Sequence, residues 1–155
     1  MSFQRVNKPL RGDIVRVHRK EHYYHYGIAL DENTVVHFTA LKDDMTSNKK
    51  DMKILETSLD RFLLGGQLEV QVPFDSCYSR DQVAEKAKRW VNCVQFRGKY
   101  YNLVTNNCEH FARYCYYGSH KSNQVIQAAA AATVLGAVAV GVTAGAVIKK
   151  AVKKR

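Results

Sequence analysis

"HYGIALDENTVVHF", residues 25 to 38, sets two runs of β-branched, aromatic and aliphatic residues on either side of the polar "DENT". Four polar residues between two such runs predict a β-hairpin. Alternation along the strands then sorts the side chains. His25, Gly27 and Ala29 share one face, while Tyr26, Ile28 and Leu30 share the other, more apolar one. His37 points opposite to Val36 and Phe38. If Gly27 pairs with His37, the two imidazoles lie diagonally across the hairpin on one face, their Cβ atoms about 5 to 7 Å apart. Gly27, without a side chain, leaves room between them. A slip of one residue would turn His37 away.

Working outward, "DIVRV" (residues 13–17) reads as a strand, and "LEVQVPF" (residues 68–74) as a strand near an edge that ends at Pro73. Between Leu41 and Asp60 the polar "KDDMTSNKKDMK" predicts a mobile loop. The period then changes. Val83, Ala87, Trp90, Val91 and Val94 recur at helical spacing, and Ser79 with Gln82 forms a capping box in front of them. Asn107 can cap a second helix, with Glu109 well placed in its first turn and Gly118 to end it. Strands followed by helices predict an α+β domain, an antiparallel sheet packed with helices, over residues 1–120.

The remaining residues, 121–155, have another character. Ala128 to Ile148 is a run of 21 uncharged residues, nine of them Ala and three Gly, and Lys149, Lys150, Lys153, Lys154 and Arg155 follow it. A helix of that length is about 31 Å, close to the hydrocarbon thickness of a bilayer. A C-terminal apolar helix that anchors the chain to a membrane is therefore expected, its basic end suiting anionic headgroups. So weakly apolar a run leaves open whether it spans the bilayer or lies in the interface. Ala137, Gly141 and Gly145, four apart, predict close helix approach and a homo-oligomer. Half of the net charge of +10 sits on those last five cations. The rest of the chain shows no basic stripe interleaved with exposed aromatics, which argues against nucleic acid. "MSFQRVNKPLRGD" has no secretory apolar run, so the catalytic domain is expected in the cytoplasm with reduced thiols. In that setting Arg11-Gly12-Asp13 reads as a turn before a strand, not an adhesion motif. Cys77, Cys93, Cys108 and Cys115 form no CxxC pair, so no zinc site, other metal, cofactor or disulfide framework is called for.

"NNCEHFARYC", residues 106 to 115, carries the chemistry. With Asn107 as cap, Cys108 is the first residue of a helix, where the dipole favours the reactive thiolate. Buried, inert cysteines are commoner, and Cys115, two turns further in, reads as one. A nucleophile needs a base. His25 can accept the thiol proton while His37 holds its other ring nitrogen and fixes the tautomer. His22 has the wrong parity, His18 and His120 stand alone, and His110 in the first helical turn reads as a capping or orienting group.

Taken together, "HYGIAL", "VVHF" and "NNCEHFARYC" resemble the lecithin:retinol acyltransferase superfamily, and in particular its phospholipase A and acyltransferase branch, from about Leu10 to Val125. The resemblance implies a permuted papain-like (NlpC-type) domain with the histidines ahead of the cysteine. His25 would be the base, His37 the third triad member and Cys108 the nucleophile. Ala112 stands where the family usually has valine, and Arg11 where proline is expected; neither touches the triad. The retinol-specific branch is expected to carry an N-terminal apolar anchor and an extra segment not found here, which disfavours retinol as acceptor. The implied activity is a thiol-dependent phospholipase A1/A2 and acyltransferase on membrane glycerophospholipids. An acyl thioester on Cys108 would pass its chain to water or to a lipid amine or hydroxyl, the acceptor and the glycerol position staying open. The alternatives are a cysteine isopeptidase or peptidase of the same fold, and a non-catalytic membrane-bound adaptor.

Overall fold

The computed structural model describes residues 2–19, 23–40 and 48–118. Six antiparallel strands form the main sheet: β1 (Ser2–Arg5), β2 (Ile14–His18), β3 (Tyr24–Ala29), β4 (Thr34–Ala40), β5 (Met52–Ser58) and β6 (Leu68–Val72), in the spatial order β1-β6-β2-β3-β4-β5. A short hairpin, β7 (Gln95–Phe96) and β8 (Lys99–Tyr100), stands apart from it. The helices are α1 (Leu59–Leu63), α2 (Arg80–Lys88) and α3 (Cys108–Tyr117). The expected mixture of antiparallel sheet and helices is observed.

The β3–β4 hairpin forms as its sequence requires. Ile28 pairs with Val36 and Ala29 with Val35. On one face of the sheet Ile14, Tyr26, Ile28, Val36, Phe38 and Ile54 pack against Val83, Ala84 and Ala87 of α2 and Phe111, Ala112 and Cys115 of α3. On the other, Val15, Val17, Ala29, Val35 and Val70 surround Phe62 of α1. Full burial of each such side chain is worth roughly 1.5–3 kcal/mol, so both faces contribute to stability.

Two sequence expectations are corrected and one is refined. The stretch read as a loop from Leu41 to Asp60 contains β5 and the start of α1. Met52 and Ile54 are buried, and seven residue pairs join β5 to β4, so strand pairing overrides the Lys- and Asp-rich composition. The strand ending before Pro73 lies next to the edge, as expected, with Ser2–Arg5 pairing along its outer side as the edge strand itself. Pro73 follows the last paired residue, so its missing N–H costs the ladder nothing. Lastly, α2 ends at Lys88; Trp90, Val91 and Cys93 continue in turns, two of which pack on the core, and that packing prolongs the apolar spacing.

The helix caps match the sequence signals. Ser79 and Gln82 form the capping box of α2, with Ser79 N donating to Gln82 Oε1 at 2.9 Å and Gln82 N donating to Ser79 Oγ at 3.2 Å. Arg11 and Gly12 form the turn before β2, where Asp13 is buried, accepting from Leu10 N at 2.8 Å and from Arg80 Nη1 at 2.6 Å. That carboxylate is committed to the fold, as the turn reading of Arg11-Gly12-Asp13 requires.

Candidate active site

β3 and β4 bring the two histidines together. His25 Nε2 lies 2.7 Å from His37 Nδ1, and His37 Nε2 lies 2.8 Å from Thr57 Oγ1 on β5. Register explains the second contact: His37 is paired with Leu55, and Thr57, two residues on, shares its face. The result is a hydrogen-bonded chain of three side chains across three adjacent strands. Both rings pack on Phe62, centroid distances 5.4 and 5.2 Å, and are 1% and 2% exposed. Burial, and then the charge of Arg19, pushes His25 down to about 3, so its imidazole is neutral at physiological pH. A neutral ring keeps one nitrogen free to accept a proton while the other shares a proton with its neighbour.

Gly27 makes this packing possible. A Cβ there would come within 2.5 Å of Val35 Cγ1, 3.0 Å of the Val36 carbonyl oxygen and 3.2 Å of Phe62. A side chain at this position would collide with Val35 and crowd the ring that covers the imidazoles.

Cys108 is the first residue of α3, as its sequence context predicts. The Asn107 side chain accepts from His110 N at 3.0 Å, and His110 Nδ1 accepts from Asn107 N at 3.3 Å, so His110 completes a capping box. Asn107 Nδ2 also donates to the Leu103 carbonyl at 2.7 Å, tying the preceding turn to the helix start. α3 packs against β3 and β4, the strands that bear the histidines. Cys108 is 3% exposed and packs in the cluster of Tyr26 and Ile28, whereas the imidazoles pack on Phe62 of the other cluster. The structure thus joins His25 to His37 and seats Cys108 at the start of the helix that packs on their strands. Burial, and then the charge of Glu109, pushes the Tyr26 hydroxyl up to about 12. Glu109 is itself fully buried and accepts from Arg113 Nε at 2.9 Å. Cys115 lies in the core, where burial pushes its thiol up, as expected of an inert cysteine.

The sequence reading missed Thr57 because it lies in the stretch taken for a loop. Alternation through "MKILETS" was the available signal, with Met52 and Ile54 buried on one face and Lys53, Leu55 and Thr57 on the other. His22, His120 and the apolar run Ala128–Ile148 lie outside the described residues. Among the described residues no helix is long and apolar enough to cross a membrane.

With this geometry, the chain belongs to the lecithin retinol acyltransferase family, whose model matches residues 7–121. It is 32% identical to mouse lecithin retinol acyltransferase over 142 residues, covering 77% of this chain and 59% of that protein. It is likewise 32% identical to the human counterpart over 146 residues, covering 79% and 61%. Human phospholipase A and acyltransferase 5 is 28% identical over 150 residues, covering 91% of this chain and 50% of that protein. The chain thus spans about half to three-fifths of the length of these relatives, and both branches of the superfamily are among them.

Proposed function

We propose that this chain is a thiol-dependent acyl-transfer enzyme acting on glycerophospholipids, built as a permuted papain-like domain. Cys108 attacks an ester carbonyl of the lipid and His25 accepts the thiol proton. The lysophospholipid alkoxide then leaves, taking up that proton, and the acyl chain remains on sulfur as a thioester. Water, giving phospholipase A activity, or the amine or hydroxyl of a second lipid, giving acyltransferase activity, resolves it. Amide N–H groups at the start of α3 are the donors for the developing oxyanion.

The observation that carries this reading is the chain His25–His37–Thr57. Burying two imidazoles among valines and a phenylalanine gains less for the fold than apolar residues of the same size would, yet the chain holds one imidazole in a fixed orientation through the other and the half-buried Thr57. His37 holds His25 Nε2, so the remaining nitrogen, Nδ1, is the one available as a base. Because His25 is neutral, the proton moves during the attack and not beforehand. The reaction needs the ring within hydrogen-bond reach of the sulfur.

Purified full-length chain incubated with acyl-labelled phosphatidylcholine, with and without an amine-headgroup lipid, tests the proposal. Labelled fatty acid or N-acyl lipid is expected from the wild type, and none from a folded Cys108→Ala. Full turnover by Cys108→Ala refutes the reaction. The pH dependence of Cys108 alkylation, compared with that of His25→Asn, isolates the role of the base. Identical profiles would remove His25 from the mechanism while leaving Cys108 in it.

A further inference from the structure

Away from the histidines, α2, the turn after it and α3 border a groove of about 340 Å³ lined by Lys86, Arg89, Trp90, Cys93 and Tyr114. A hollow of this size admits a phosphorylated headgroup. Its charge is unbalanced for a specific reason. The acids on the same helix, Asp81 and Glu85, are taken by Arg11 at 2.7 and 2.8 Å, and among the described residues Lys86 and Arg89 have no carboxylate partner. Lys86 Nζ is held instead over the Tyr78 ring at 3.7 Å and lies 5.2 Å from the Tyr114 ring. Aromatic faces fix a cation in place without cancelling its charge.

A third cation joins from the β7–β8 hairpin. Arg97 Cζ lies 5.2 Å from the same Tyr114 ring. Arg97 and Gly98 are the two central residues of the turn, with φ of 53° and 75°, a conformation that favours Asn or Gly at the first position. An arginine there costs turn stability and returns a positive charge at the groove's rim.

We propose that this groove is a docking surface for an anionic lipid bilayer, with Lys86, Arg89 and Arg97 taking headgroup phosphates and Trp90 and Tyr114 lying at the headgroup level. The choice of a lipid among anions rests on the acyl-lipid reading above; the unpaired charge does not.

Co-sedimentation of the full-length chain with vesicles of phosphatidylcholine, and of phosphatidylcholine with one-fifth phosphatidylserine, tests this. Each cation near an anionic surface is worth about five-fold in partitioning. Lys86→Gln and Arg97→Asn are each expected to lower binding to the anionic vesicles by about that factor, with little change on neutral ones. Arg97→Asn suits the turn better than arginine, so a loss there cannot come from misfolding. Arg5→Gln, on the far edge strand β1, removes the same charge elsewhere and is expected to change binding less than two-fold. Alkylation of Cys93, followed by peptide mass spectrometry, should slow when anionic vesicles are present. Equal losses in Arg5→Gln and the groove variants overturn the proposal, as does an unprotected Cys93. Protection by inorganic phosphate but not by vesicles also overturns it, in favour of a soluble ligand. Turnover of a monomeric short-chain phospholipid, which needs no docking, reports separately on the acyl-transfer reading.

Discussion

Acid should unfold this protein through His25. The imidazole is neutral in the fold, pushed down to about 3, while in the unfolded chain it takes a proton near pH 6.5. Below that value the unfolded state binds the extra proton, so the stability that His25 allows is complete above about pH 6.5 and is lost as pH falls toward 3. From pH 6.5 to 5, one and a half units at about 1.4 kcal/mol each amount to about 2 kcal/mol. For a chain of 155 residues that is a fall of about 4–8 °C in Tm. Calorimetry at about pH 7 and pH 5 on wild type and His25→Asn isolates this contribution, because every other ionisable group is common to both proteins. The asparagine amide can still donate to His37 Nδ1 and cannot titrate. The variant should therefore start less stable and lose about 2 kcal/mol less on acidification. If both proteins lose the same amount, the ring is not buried neutral as described, and the proton inventory of the site fails.

Three further substitutions probe its supports. Thr57→Val keeps shape but removes the partner of His37 Nε2, a bond worth about 1 kcal/mol net, so acyl release should fall several-fold while Thr57→Ser stays near wild type. Glu109→Gln leaves the Arg113 guanidinium without its buried counter-charge and is expected to cost about 3–5 kcal/mol, read as a lower urea midpoint at unchanged slope. Asn107→Ala removes the cap that seats Cys108, costing about 1–2 kcal/mol, and Asn107→Ser should restore most of it in thermal unfolding.

What could be read from the sequence was local. The hairpin with its parity of His25 and His37, the Ser79 and Asn107 caps, and the turn at Arg11 each depend on neighbours within a few residues, and each is found as expected. What failed was long-range. β1 is a strand because Ser2 meets Val72, seventy positions away, and no property of "SFQR" announces that. β5 was hidden by surrounding lysines and aspartates, although Met52 and Ile54 mark its inner face. Losing β5 also lost Thr57, so the polar chain was anticipated as two members instead of three. Cys108 at a helix start is likewise a local reading, made from Asn107 and Glu109 beside it, and α3 begins there.

The bare α-carbon at Gly27 reaches further than one strand. Phe62 is the roof over two rings whose protonation decides both acid tolerance and the proposed chemistry, and that roof rests where a methyl group would stand. Gly27→Ala would press first on Val35 and the Val36 carbonyl and then on Phe62, straining the strand pair that carries both histidines. Packing at this site, and with it the timing of any proton transfer, hangs on one missing carbon.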